Sequence, residues 1–208
     1  MRRSLKIEAA SRGRGSLMHR KEHEAVCLKF IMESDSRKYC EEMLPLVSRT
    51  FALGIGLLHD PLFIEVAVGY LICRITDTVE DTNQVSVAVR SDLLKKIACS
   101  LCKPGREGLL EEMRKAFPPD SFQGDEYELL YNTHKVMEIY DTLRENAKRF
   151  IQDCVFEMAN GMALTVEREN EGPLEGLRDE EDIAQYCYYV AGTVGKMLTR
   201  LFSEDRET

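Results

Sequence analysis

The sequence contains no run of about 20 apolar residues, which is the length that a membrane-spanning helix needs. It also shows no convincing alternation of polar and apolar residues of the kind that marks strands, and no internal repeat. The leader, Met1 to Ser16, lacks the apolar core of a secretory signal. These absences argue against a transmembrane protein, a β-sheet protein and a protein secreted through a standard signal.

Basic residues are scarce outside the first part of the chain. Residues 1–21 hold seven basic residues and one acidic residue, whereas the remainder holds 21 basic and 35 acidic residues. Such an acidic body argues against nucleic acid as a partner, because phosphate backbones require clustered lysine and arginine. We expect residues 1–18 to form a disordered basic leader and residues 19–208 to form one helical domain.

Cysteine and histidine do not form the patterns of a disulfide framework or a zinc site. The seven cysteines are odd in number and scattered, and the one CxxC pair, Cys99 and Cys102, has no second pair nearby. The four histidines show no ligand spacing either. Reduced thiols of this kind are typical of a cytoplasmic protein.

Helical periodicity recurs along the whole chain, which predicts an all-α fold. Proline and capping signals suggest the boundaries, including a helix end at Pro45 and a helix start at Asp60-Pro61. The predicted helices cover Glu22 to Met32, Arg37 to Leu44, Val47 to Leu58, the stretch from Pro61 through Asp81, Val85 to Leu101, Gly108 to Phe117, about Glu126 to Glu167 with a break near 140–142, and a last helix from about Asp179.

Asp77, Glu80 and Asp81 form the most informative motif, because residues at i, i+3 and i+4 share one helix face. Three like charges at this spacing repel one another unless a cation lies over them, and Mg²⁺ prefers such oxygen ligands. The alternative is a solvated acidic face. Tyr70 and Arg74 continue the polar stripe upstream, opposite an apolar stripe, which indicates a helix that faces an enclosed polar cavity. Arg74 could pair there with Asp77 or with a bound phosphate.

A second unusual segment, Tyr186 to Gly195, has three tyrosines followed by two glycines inside a predicted helix. Each interior glycine costs a helix about 1 kcal/mol relative to alanine. Small residues open a groove that a ligand or another backbone can enter, and the aromatic rings could line an apolar tunnel or face a cation. Tight helix packing is the alternative. Gly161 on the preceding helix is a similar small-residue position.

Three blocks together resemble the squalene/phytoene synthase family. They are Ser48 to Ala52, Tyr70 to Asp81, and Tyr186 to Gly195 followed by Leu201-Phe202, in the order and spacing of that family. The resemblance covers the chain from about Glu22 to its end. It is strongest toward squalene synthases, with some features of phytoene synthases. It implies the all-α isoprenoid synthase (terpenoid synthase) fold, of which this chain would be the N-terminal portion.

The resemblance implies a Mg²⁺-dependent prenyltransferase that condenses two prenyl diphosphates head to head. Farnesyl diphosphate as substrate, with squalene as product, would involve NADPH, and a phytoene-type reaction on geranylgeranyl diphosphate is the alternative. It also implies a peripheral contact with a membrane, which would suit the apolar product. The implied roles are metal binding by Asp77, Glu80 and Asp81, catalysis by Tyr70, Arg74, Asp77, Asp81 and Tyr189, and substrate binding by Ser48, Arg49, Phe51, Arg74, Val190 and Gly192.

One departure from the family pattern concerns the second Asp-rich motif, which the family places on a later helix. The sequence ends at Thr208 without that motif, and the terminal acids do not reproduce its spacing. We therefore expect a C-terminally incomplete family member. The alternative to an enzyme is a non-catalytic relative or fragment that acts as a binding or assembly protein.

Overall fold

A computed structural model describes residues 32–48, 50–101, 106–118, 122–169 and 177–205. Three sequence predictions therefore fall outside the described residues: the disordered leader, the helix from Glu22 to Met32 except for its last residue, and the position of Arg49. The rest of the predicted organisation can be compared with the structure.

The described residues fold into helices joined by short connections, and they contain no extended strand, so the all-α prediction is confirmed. A π-helical turn, Tyr188–Gly192, connects the last two helices without a break. The helices are α1 (32–48), α2 (Phe51–Ile55), α3 (Leu62–Asp81), α4 (Val87–Ser100), α5 (Arg106–Ala116), α6 (Asp125–Tyr131), α7 (Thr133–Thr142), α8 (Glu145–Glu167), α9 (Glu180–Cys187) and α10 (Thr193–Asp205).

Helix α3 forms the centre of the fold. Fifteen of its 20 residues are buried, among them Leu71, Ile72 and Val79, which are fully enclosed. It packs against α4, α6, α7, α8 and α10, while α8 also packs along α4. A helix that is apolar on most sides must be surrounded in this way. None of the described helices is both long and apolar enough to cross a membrane.

Several predicted boundaries in the first half are wrong, since α1 runs through the predicted gap between Met32 and Arg37, and α2 begins at Phe51 instead of Val47. Helix α1 continues through Pro45 to residue 48, because Pro45 removes a single backbone donor while the flanking Leu44 and Val47 remain buried. Asp60 does not cap α3: the N-cap position is Pro61, without a side-chain hydrogen bond. The Asp60 carboxylate instead accepts a hydrogen bond from Nη2 of Arg37 at 2.7 Å, so an ion pair to α1 replaces the predicted cap.

The predicted long helix from about Glu126 is divided into α6, α7 and α8. The break near 140–142 is confirmed, since α7 ends at Thr142. A second break, at Asn132, was not predicted. There the Asn132 amide donates to the Glu128 carbonyl at 3.0 Å, and a side chain that bonds the local backbone competes with the regular helix. The predicted start of the last helix is confirmed, because Asp179 accepts a hydrogen bond from the Asp182 amide.

A buried ion pair joins α3 to the start of α8. The Glu65 side chain is only 1% exposed, and Arg144 donates to both of its oxygens from Nε and Nη2, each at 2.7 Å. This bidentate geometry is the strongest form of an arginine–carboxylate contact. It fixes the turn between α7 and α8 against the central helix.

We expect the substitution Arg144→Met to lower the free energy of unfolding by about 3 kcal/mol or more, because it leaves the Glu65 carboxylate buried and unpaired. Urea denaturation followed by circular dichroism measures this change. The control is Lys38→Met, which removes an exposed pair with Glu42 and should cost less than about 1 kcal/mol. Equal effects of the two substitutions would contradict the assigned role of the buried pair.

Candidate functional site

The polar stripe of α3 lies along one edge of the otherwise buried helix. Tyr70, Arg74 and Asp77 are half-buried, and Asp81 at the end of the helix is exposed. The stripe was predicted from the i, i+3 and i+4 spacing alone. The structure brings these four side chains onto one face, with α1 and α2 beside Tyr70 and α6 beside Arg74.

Arg74 makes contacts on two helices. Its Nη2 donates to Oε1 of Glu126 in α6 at 3.0 Å, while its Nη1 lies 3.9 Å from Oδ2 of Asp77. The third nitrogen, Nε, is buried and has no hydrogen-bond partner among the described residues. Arg74 is therefore held mainly by Glu126, and its capacity for hydrogen bonds is not filled.

Two carboxylates of the motif hold their protons unusually tightly. Burial raises the pKa of Asp77 to about 7, with nearby Asp81 adding to the effect and Arg74 opposing it. Burial likewise raises the pKa of Glu80 to about 7, although a hydrogen bond from Tyr186 acts in the opposite direction. The pKa of the more exposed Asp81 is raised for the same main reason. A cation bound here would relieve the cost of this concentrated negative charge.

Glu80 is turned toward α9 and is only 8% exposed. Its Oε2 accepts a hydrogen bond from the Tyr186 hydroxyl at 3.0 Å, and its backbone carbonyl accepts one from Nη1 of Arg90 at 2.7 Å. Arg90 in turn pairs with Glu169. In this arrangement Glu80 ties α3 to α4 and α9.

The fit of a magnesium ion rests on Asp77 and Asp81. No three His, Cys, Asp or Glu side chains within the described ranges are close enough together to hold a metal ion by themselves. Mg²⁺ does not require such a cage, because it is usually held by one or two carboxylates together with substrate phosphates and water. Two carboxylates one turn apart, beside an arginine with an unfilled donor, match that pattern.

The first sequence block lies next to Tyr70. The Tyr70 hydroxyl donates to the Val47 carbonyl at 3.3 Å, and its ring centroid lies 5.8 Å from that of Phe51. Burial raises the pKa of Tyr70, with Arg74 opposing. Phe51 is 65% exposed. Ser48 is buried, and its Oγ accepts a hydrogen bond from the Ala52 amide at 2.8 Å, so its observed role is to stabilise the start of α2.

The third block, Tyr186 to Gly195, contains the π-helical turn Tyr188–Gly192. Tyr189 packs directly on Gly161 of α8: a Cβ atom added to Gly161 would lie only 2.1 Å from the Tyr189 ring. Gly192 lies beneath the ring of Tyr188, where an added Cβ would come within 2.8 Å. Val190 is half-buried against the core. Tyr189 and Gly161 are therefore used in helix packing, whereas Gly195 of the same segment faces open space.

Two cavities formed by the described residues lie away from the acidic stripe. One of about 450 Å³ is formed between α8 and α10, and includes Cys154, Glu157 and Lys196 in its lining. Another of about 230 Å³ surrounds the Glu65–Arg144 pair. The stripe lies along a partly buried edge of α3, where Asp77 is half-buried and Asp81 is exposed.

Two contributors to the site were not singled out from the sequence as site residues. Tyr186 bonds Glu80 across 106 positions of sequence, and Glu126 bonds Arg74 across 52. Tyr186 belonged to the tyrosine-rich segment that was noted as unusual, although its partner could not be identified. Glu126 stands in an acidic first turn, which predicts a helix start and carries no signal of a distant arginine.

Comparison with known proteins shows what the chain is similar to. A sequence model of the squalene/phytoene synthase family matches residues 44–208. Squalene synthases of Candida albicans and Cochliobolus lunatus are 32% and 33% identical over 163 and 172 residues, which are 78% and 83% of this chain. The chain spans only 34% and 39% of the lengths of those relatives.

A solved structure, the complex of TcSQS with the ligand BPH1237, has a similar fold. The TM-score is 0.67 at 28% sequence identity, and the match covers 83% of this chain and 46% of the other. The complex of TcSQS with the ligand E5700 gives a TM-score of 0.63 at 27% identity. The isoprenoid synthase fold that the sequence blocks predicted is confirmed.

The raised pKa of Asp77 predicts a pH-dependent stability. A carboxyl group with a raised pKa favours folding when protonated, so its cost appears as the pH rises above its ordinary pKa and is complete above about 7. We expect Asp77→Asn to raise the free energy of unfolding by about 1 kcal/mol at pH 8 and to have little effect at pH 4. Thermal melts at the two pH values measure the difference.

The control for this experiment is Asp92→Asn on the exposed face of α4, where Asp92 pairs only with Lys96 one turn away. That substitution should change the melting temperature little at pH 8. If Asp77→Asn is no more stabilising at pH 8 than at pH 4, burial does not disfavour the charged form of Asp77.

The contact between Gly161 and Tyr189 predicts that alanine substitution has different effects on stability at Gly161 and at Gly195. Gly161→Ala should destabilise the fold by about 1 to 3 kcal/mol, because the added methyl group overlaps the Tyr189 ring. Gly195→Ala meets open space and should be neutral or stabilising by up to about 1 kcal/mol. Chemical denaturation of both variants tests this, and a stable Gly161→Ala protein would show that the ring is free to move.

Proposed function

The chain belongs to the squalene/phytoene synthase family, and from that membership we propose that it serves the head-to-head condensation of two prenyl diphosphates. The proposed reaction is of the squalene synthase type, with farnesyl diphosphate as the substrate. The relatives that it resembles are named as squalene synthases, and the shared region includes the acidic motif of α3. The observation that carries the proposal is the stripe on which Asp77, Asp81 and Arg74 lie together.

The carboxylates of this stripe suit a metal-bridged diphosphate. Asp77 and Asp81 would hold Mg²⁺, with Glu80 close by on the same helix, and the phosphate oxygens would supply further ligands. When bound, the metal acts as a Lewis acid that stabilises the negative charge on the departing diphosphate. The raised pKa values of Asp77 and Glu80 indicate that the site gains from a bound cation.

Arg74 would bind the diphosphate directly. Its guanidinium lies within one helical turn of Asp77, and Nε has no partner among the described residues. Arginine recognises phosphate oxygens through several planar N–H donors, which fixes the orientation of the group. Arg74 thus provides positive charge where the two aspartates alone would repel the ligand.

Tyr70 and Phe51 would accommodate the reacting end of the prenyl chain. Their rings lie next to each other, and Phe51 offers apolar surface immediately beside the polar stripe. The face of an aromatic ring stabilises a nearby cation, which suits the allylic carbocation left by loss of diphosphate. The proposed roles of Tyr189, Val190, Gly192 and Arg49 rest on the family resemblance. Reduction by NADPH belongs to the proposal if squalene is the product.

The test is metal-dependent binding of a non-hydrolysable prenyl thiodiphosphate to the full chain, measured by calorimetry. We expect binding only with Mg²⁺ present, and a loss of at least about tenfold in affinity in Asp77→Asn and in Asp81→Asn. The reason is that each substitution removes a charged oxygen ligand of the metal.

Asp92→Asn serves as the control, because it removes the same charge from the exposed face of α4. Its affinity should equal that of the wild type. Binding that does not depend on Mg²⁺, or that survives both substitutions in α3, would contradict the proposal.

A further inference from the structure

We propose that Glu126 is a positioning residue that holds Arg74 in the absence of ligand and is displaced when a diphosphate binds. The inference rests on the proposed function, because it names the residue that competes with the diphosphate for Arg74. Glu126 lies in α6, outside all three of the sequence blocks that carry the family resemblance. Its part in the site is visible only in the folded chain.

The geometry favours competition for one donor of Arg74, Nη2. Glu126 occupies Nη2 of Arg74 at 3.0 Å, which is a hydrogen-bonded ion pair. Asp77 on the same helix lies 3.9 Å from Nη1, too far for a hydrogen bond. A phosphate that approaches Asp77 through a bridging cation and takes Nη2 of Arg74 must therefore displace Glu126 from that donor.

The charges around Arg74 also favour the displacement of Glu126. Arg74 faces the carboxylates of Asp77 and Asp81 in addition to that of Glu126, so the region carries an excess of negative charge. A bound diphosphate adds more. Displacement of Glu126 toward solvent lowers this repulsion and returns the guanidinium to the ligand.

The Glu126 side chain is partly exposed, while the helix that carries it is anchored by its neighbour. Its side chain is 41% exposed, so an alternative rotamer can place the carboxylate in water. The next residue anchors α6 to the end of α3, because the Tyr127 hydroxyl donates to Oγ1 of Thr82 at 3.3 Å, and its ring packs on Phe117 and Phe122. When Glu126 is displaced from Arg74, these contacts of Tyr127 still hold α6 against the end of α3.

The experiment is a calorimetric titration of inorganic pyrophosphate into the full chain at saturating Mg²⁺. Glu126→Gln should bind pyrophosphate roughly three- to fivefold more tightly than the wild type, the size expected for loss of a competing, partly exposed ion pair. The binding of Mg²⁺ alone should not become tighter, because the substitution removes negative charge.

Glu128→Gln is the matched control, since it removes the same charge from the same helix while Glu128 contacts Asn132 and not Arg74. A double-mutant cycle supplies the second readout: in an Arg74→Gln background, Glu126→Gln should no longer increase the affinity. Thermal melts of each variant confirm that the fold is retained.

The outcomes separate this inference from the proposed function. If the wild type binds Mg²⁺-pyrophosphate but Glu126→Gln binds equally or more weakly, or if Glu128→Gln has the same effect, the competition is refuted and the function stands. If Glu126→Gln tightens binding equally in the Arg74→Gln background, the effect does not pass through Arg74, and the competition is again refuted. If no variant binds pyrophosphate, the proposed function and the inference fail together.

Discussion

The desolvation of carboxylates on α3 is the constraint around which the rest of the structure is arranged. This helix must be buried, because most of its side chains are apolar, yet it carries Glu65, Asp77 and Glu80 in or beside the core. Removing a charged group from water is costly unless a partner compensates. Neighbouring parts of the fold supply partners for Glu65 and Glu80, whereas Asp77 lies near Arg74 of its own helix.

The two ends of α3 meet this constraint in different ways. At Glu65, Arg144 neutralises the buried carboxylate completely with two short hydrogen bonds. At Asp77 and Glu80, compensation is partial, and the pKa of each group rises to about 7. Carboxylates with a raised pKa are typical of functional sites, and the proposed function assigns metal binding to this end of the helix. The contrast within a single helix distinguishes the fully paired Glu65 from the partly compensated Asp77 and Glu80.

Sequence reasoning identified what depends on local spacing. The stripe of α3 and the start of α9 at Asp179 follow from periodicity and capping, and the family followed from three short motifs. The errors arose from contacts that periodicity and capping signals do not show, one distant and one local. Asp60 pairs with Arg37 instead of capping α3, and the Asn132 side chain donates to the Glu128 carbonyl four residues earlier. The partners of Glu80 and Arg74 could not be predicted, because each contact joins segments whose relative placement only the fold determines.

The π-helical turn at Tyr188–Gly192 has a consequence for how this part of the chain can vary in length. Tyr186 before the turn reaches Glu80, while Met197 and Leu201 after it are buried in the core. Because one residue corresponds to about 100° of rotation around a helix, insertion or deletion of a single residue here would turn one of these groups away from its contact. The spacing between Tyr186 and the apolar face of α10 is therefore fixed. Substitutions in this segment keep that spacing, whereas insertions and deletions do not.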